Sequence, residues 1–217
     1  MSNAAAGGHW DAYWRAFRQD VHQLLAWGYE DSTSRITPDD EEEVITAYIA
    51  EAIDRRIDDP RTPESFARYS IHNARFVSPR GQTGKRQLRL DLMLEQCGTR
   101  PKRRFVFEAK RLKTGSHPIG NYTGKEGLGR FVSGYYATTD PEAAMVGYIQ
   151  NADVTYWLSE LERIFTVHRS SEPDELRIVD GLRKIAVIPA LENEWLSGHT
   201  RADGTRIGMF HILLRCS

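Results

Sequence analysis

Apolar and polar positions alternate most strictly over residues 104–112 (Arg-Phe-Val-Phe-Glu-Ala-Lys-Arg-Leu), a period of two that predicts a β-strand. Phe105, Phe107 and Ala109 then share one face, and Val106, Glu108 and Lys110 share the other. Residues 86–95 alternate in the same way, with Leu88, Leu90, Leu92 and Leu94 on one face and Asp91 among the residues of the other. Paired as neighbours, the two strands would bring Asp91, Glu108 and Lys110 together.

The surrounding periodicities place other elements. Residues 9–27 carry Trp10, Trp14, Phe17, Val21, Leu24 and Leu25 at helical spacing, with Gly28 as a stop and a polar loop over 29–36. The opening residues 1–8 read as a flexible lead. A second helix is expected from Thr37 as N-cap, Pro38 at the first helical position and Asp40 closing a capping box. Its apolar residues are Val44, Ile45, Tyr48, Ile49, Ala52, Ile53 and Ile57. A strand over 71–78, a loop over 79–85 with two glycines, and a turn over 97–101 complete an antiparallel meander with the two alternating strands. The glycine-rich stretch 114–129 lacks the spacing of a phosphate-binding GxxxxGK[ST] loop, which excludes a P-loop NTPase. A helix over 127–137, a strand over 143–150, a helix over 152–165 and strands over 182–189 and 206–215 follow. This order predicts an α/β sandwich around a mixed sheet. Residues 1–36 read as an N-terminal helical extension and 37–217 as one globular unit.

Composition adds limits. A chain of 217 residues with 40% hydrophobic and 27% charged residues can bury a substantial core. No apolar run reaches membrane-spanning length, no signal peptide is apparent, and Cys97 and Cys216 suggest neither a disulfide framework nor a zinc site. A reducing cytoplasm is the expected location. The net charge of −1 hides an asymmetry: residues 1–67 carry 6 Lys/Arg against 14 Asp/Glu, residues 68–113 carry 13 against 3, and residues 114–217 carry 10 against 13. The basic block coincides with the alternating strands and suits a phosphate-bearing partner. A solvated hairpin with basic turns is the plainer account of any single arginine.

The acidic run 39–43 complements the positive end of a helix dipole. On a helical projection Glu41 lies within the arc of Val44, Ile45, Tyr48 and Ala52, while Glu42 lies at its edge. Glu41 is therefore the expected fourth member of the Asp91/Glu108/Lys110 group, with Glu42 in reserve. Carboxylates and water are the ligands Mg²⁺ favours. Asp91, Glu108, Glu41 and the Ala109 carbonyl would hold it, with Mn²⁺ as a possible substitute. Lys110 would orient or deprotonate a water, or stabilise charge in the transition state. Arg89, Arg111, Lys113, Lys125, Arg130 and Gln150 are candidate substrate contacts. His199, Arg201 and His211 form a His-x-Arg then His pattern whose simplest role is to order the final hairpin.

The combination of an acidic helix, a three-stranded meander, Asp91 on its second strand and Glu108-Ala109-Lys110 on its third resembles the PD-(D/E)xK nuclease superfamily. The match spans roughly residues 37–165, with Leu90 in place of the nominal proline before the aspartate. The resemblance implies a restriction endonuclease-like three-layer α/β/α sandwich. It further implies a Mg²⁺-dependent endonuclease acting on DNA in restriction, anti-phage defence or repair, with a homodimer if both strands are cut. The alternative is a catalytically inactive nuclease-like module that binds nucleic acid or a protein partner.

Overall fold

The alternating stretches do form adjacent strands. In the structure, a computed structural model that describes residues 4–77, 88–170 and 174–216, β1 (Tyr69–Val77), β2 (Leu88–Gln96) and β3 (Arg103–Leu112) pair as an antiparallel meander. The strands that follow are β4 (Glu142–Ile149), β5 (Ile178–Lys184), β6 (Glu194–Thr200) and β7 (Arg206–Arg215). Together they make one seven-stranded sheet of order β1-β2-β3-β4-β7-β6-β5. The β3/β4 and β4/β7 contacts are parallel and all others antiparallel, so the sheet is mixed. Its central strands are apolar on both faces, as sheets covered on both sides are.

Helices α1 (Ala4–Ser32) and α2 (Glu42–Asp58) cover one face. Phe17, Val21, Leu24, Leu25, Ile45, Ile49 and Ile53 pack there against Leu92, Leu94, Phe105, Phe107, Phe210 and Ile212. The short helices α3 (Ile119–Thr123) and α4 (Leu128–Val132), with α5 (Val154–Arg169), cover the other face over Met93, Val106, Met145 and Met209. α1, read from sequence as an extension, is thus built into the main core. Two side-chain contacts fix it to the sheet: the Arg18–Glu142 ion pair, and His22 Nε2 2.8 Å from Glu194 Oε1 with neither side chain exposed.

Several expectations change. α1 begins at Ala4, inside the supposed lead, and runs straight through Gly28 to Ser32. Gly28 is there for close packing: a Cβ would meet Ile53 Cγ1 at 2.4 Å and the Ile49 carbonyl at 2.8 Å. Thr37 and Asp40 do cap each other, since Thr37 N–H donates to Asp40 Oδ2 at 2.7 Å, but they close a turn before the helix. α2 starts only at Glu42, with Glu41 in extended conformation as N-cap. The helix expected over 127–137 shrinks to α4, and α3 forms within the glycine-rich stretch. The strand expected over 182–189 overlaps β5 only at its start. β6 was not foreseen, because its inward positions include Glu194, Ser197 and His199, which erase the apolar alternation. The 79–85 loop lies outside the described residues.

The α1/α2 contact gives a testable balance. Gly→Ala in a helix interior normally stabilises by about 0.5–1 kcal/mol. At Gly28 the overlap with Ile53 and the Ile49 carbonyl should reverse the sign, with a net loss of about 1–3 kcal/mol. Urea unfolding of Gly28→Ala measures it; a rise in midpoint would contradict the packing role.

Candidate functional site

The site lies where β2 and β3 part. Their backbone register runs from Gln96↔Arg103 to Leu92↔Phe107 and goes no further. Beyond it, the Ala109 N–H donates to Asp91 Oδ2 at 2.8 Å, so a side-chain carboxylate replaces the strand partner. The alternation of β2 breaks at the same point. Leu92 and Leu94 face α1 and α2, but Leu90 packs with Met93 and Val106 on the opposite side, against the expected single leucine face.

Lys110 occupies the centre. Its Nζ lies 3.0 Å from Glu42 Oε1, 3.1 Å from Glu108 Oε1, 2.6 Å from the Ala109 carbonyl and 3.8 Å from Asp91 Oδ2. Asp91, Glu108 and Lys110 therefore converge, with Asp91 brought in through the break in β2. Glu41 does not join them: it is largely exposed and pairs with Arg111 at 2.6 Å. Glu42 takes the position instead, accepting from both Lys110 and the Arg111 backbone N–H at 3.0 Å. The inward stripe of α2 is Ile45, Thr46, Ile49 and Ile53, with Val44 exposed. Residue 42 lies one turn before 45 and 46 on that stripe. The arc through Val44, Ile45, Tyr48 and Ala52 points to Glu41 because it counts the exposed Val44 as inward and omits the buried Thr46.

Other candidates divide. Arg130 reaches the site, with Nη1 3.4 Å from Glu108 Oε1 and further contacts to Tyr136 Oη and Glu126. Tyr136, within the segment expected as a helix over 127–137, donates to the Arg89 carbonyl at 2.6 Å and so anchors Arg130 beside Glu108. Its pattern in the sequence is that of any core aromatic. Gln150 Nε2 donates to the Asp40 carbonyl at 2.6 Å, which fixes the entry to α2 rather than touching the carboxylates. Lys113 pairs with Asp39 at 3.0 Å. Arg89 and Lys125 are exposed. Within the basic block, Lys102 and Arg104 pair with Glu95 and Arg68 with Asp20, so much of that charge is matched internally.

His199, Arg201 and His211 are buried structural residues. Ser197 Oγ lies 2.7 Å from His199 Nε2 and 2.8 Å from His211 Nε2, while His211 Nδ1 meets Tyr122 Oη at 3.1 Å. Complete burial, then the neighbouring His199, pushes His211 down to about 3, so it stays neutral. Arg201 binds the carbonyls of Ala137, Asp140 and Arg206 and ties the last hairpin to the loop before β4.

Electrostatics follow from burial. Glu108 is 1% exposed, and desolvation, reinforced by the charge of Asp91, pushes its carboxyl up to about 8. Burial likewise raises Glu42, against the pull of Lys110. Desolvation alone would lower Lys110, but Glu108, Glu42 and Asp91 together outweigh it and hold the amine above its ordinary range. Lys110 is therefore a persistent ammonium, suited to orienting a water or balancing negative charge and unsuited to removing a proton.

The donor chemistry fits a hard divalent cation. Every inward donor is oxygen, and Glu108 Oε2 is buried with no hydrogen-bond partner among the described residues. No three acidic, His or Cys groups among the described residues stand at the mutual spacing of a ready-made metal cluster. Here the Lys110 ammonium takes the central place, including the Ala109 carbonyl expected to serve as a ligand. Comparison with family models, curated proteins and solved structures returns no match for this chain.

The Glu108 shift has a signed consequence. The folded protein holds this proton more tightly than an unfolded chain, whose glutamate titrates near 4.5. The linked stability is complete below about pH 4.5 and declines as pH rises to about 8. Glu108→Gln removes the titration. Its urea stability should change less between pH 4.5 and 8 than that of the wild type, and parallel pH profiles would contradict the assignment.

Proposed function

We propose that this chain is a metal-dependent phosphodiesterase, an endonuclease acting on DNA, of restriction, defence or repair type. The observation that carries the reading is the convergence of Asp91, Glu108 and Glu42 on one ammonium at the point where β2 and β3 separate. Three carboxyl groups around one lysine, with Arg130 beside them, supply the oxygen donors a divalent cation would take. Asp91, Glu108, Glu42 and the Ala109 carbonyl would hold Mg²⁺, or Mn²⁺ in its place. When bound, the ion would supply Lewis-acid polarisation of the phosphate.

The chain's own groups define the remaining roles. Lys110, held protonated, would position the attacking water by hydrogen bonding and neutralise charge developing on the phosphorus oxygens. Arg130 would face the same phosphate with its planar donors. Glu42, anchored by the Arg111 backbone N–H, fixes Lys110. The Gln150 to Asp40 bond positions the start of α2 and with it Glu42. Asp91 has a structural function as well, because it holds β3 through Ala109 N–H.

Plasmid nicking in Mg²⁺ or Mn²⁺ tests this reading. Wild type should cut and EDTA should stop it, while Lys110→Ala and Asp91→Ala should each lose about 10²–10⁴-fold in rate. Equal cutting by all three proteins would refute the site. Absence of cutting on DNA and RNA, with nucleic-acid binding retained, would leave the inactive binding module.

A further inference from the structure

On the α3/α4 side of the site a cavity of about 800 Å³ opens next to the carboxylate cluster. Arg130 belongs to both: its guanidinium contacts Glu108, and the residue lines the cavity. The apolar wall comes from Val132, Ile164 and Leu176. Tyr135 stands at the lining with 42% of its surface exposed, and its backbone N–H is fixed to the Arg130 carbonyl at 2.9 Å. His168 also lines the cavity, and its Nδ1 is buried with no hydrogen-bond partner among the described residues. Of the three acids on the wall, Glu126 pairs with Arg130, Asp174 accepts from the Leu176 and Ile178 N–H groups, and Glu175 is exposed.

Resting on the phosphodiesterase reading, we infer that this cavity holds one nucleotide of the substrate strand, the unit adjoining the phosphate to be cut. The size lies within the range of small-ligand sites, which are apolar with a few directed polar groups. A nucleobase offers the flat face that Tyr135 can stack on. The attached phosphate is then directed at Arg130, whose other contact is Glu108. An apolar peptide segment would use the wall but leave the guanidinium and the continuity with the carboxylates unexplained. The strand would enter with one base turned out of the stack, which favours single-stranded or locally opened DNA.

Gly120 supplies a clean test, because it lines the cavity and a Cβ built on it meets nothing within 4 Å. Gly120→Phe introduces a bulky ring from a Cβ that meets no neighbour, and Tyr135→Ala is a second variant at an exposed position. Titration calorimetry in EDTA with 5′-dAMP, dGMP, dCMP and dTMP should show saturable binding of at least one nucleotide to wild type and to Asp91→Asn. Gly120→Phe should weaken it at least tenfold, and Tyr135→Ala by about 5–100-fold for one lost stack. Both should raise KM for a short single-stranded oligonucleotide more than they lower kcat.

No saturable binding of any of the four nucleotides, or binding unchanged in both variants, overturns the cavity assignment. Unchanged oligonucleotide KM overturns its link to the substrate strand. Cleavage that survives either result leaves the phosphodiesterase reading standing. Nucleotide binding that the variants weaken, in a protein that cuts nothing, removes that reading and keeps the cavity as a nucleotide site.

Discussion

Everything at the candidate site depends on keeping charge out of water. Glu108 is almost wholly buried on a central strand, and a carboxylate there is tolerable only beside a cation or carrying a proton. Lys110, two residues along the same strand, supplies the cation, and Arg130 approaches from α4. Lys110 is in turn held by Glu42 and approached by Asp91, so no member of the group is independent. The fold serves this cluster. β2 releases β3 at Asp91, α2 begins where its first turn can reach Lys110, and Gln150 fixes the chain just before that turn.

The same constraint links the site to its surroundings. The Asp91–Ala109 bond is both a substitute for sheet pairing and part of the acidic group, so changes at Asp91 combine local unpairing with lost chemistry. Arg130, itself held by Tyr136, meets Glu108 from the opposite side. The raised Lys110 narrows its role, since an ammonium stabilised by three carboxylates donates hydrogen bonds and positive charge and does not accept protons.

Much of this was legible in the residues. Period-two alternation identified the meander and predicted that Asp91, Glu108 and Lys110 would meet, because strand geometry fixes which side chains share a face. The helical acid was harder. Thr37, Pro38 and Asp40 form a convincing cap, but one that closes a turn, and the apolar arc of Val44, Ile45, Tyr48 and Ala52 favours Glu41 although Val44 is exposed and Thr46 is inward. Gly28 is a stop signal by composition and a packing residue in space, a distinction set by Ile53 on another helix. β6 was hidden because Glu194, Ser197 and His199 are inward, where they meet His22, His211 and the Leu176 carbonyl from other parts of the chain. The basic block pointed to phosphate by count alone, whereas the structure pairs several of its members with Asp20, Asp39, Glu41 and Glu95.

The central claim is that Glu42, not its neighbour Glu41, completes the group around Lys110. Side-by-side nicking rates of Glu42→Gln and Glu41→Gln in Mg²⁺ test it most directly, with thermal melts to show that both proteins fold. The account predicts a loss of about 100-fold or more for Glu42→Gln and a change within about threefold for Glu41→Gln, whose carboxylate is exposed. Equal losses, or a larger loss at Glu41, would contradict it.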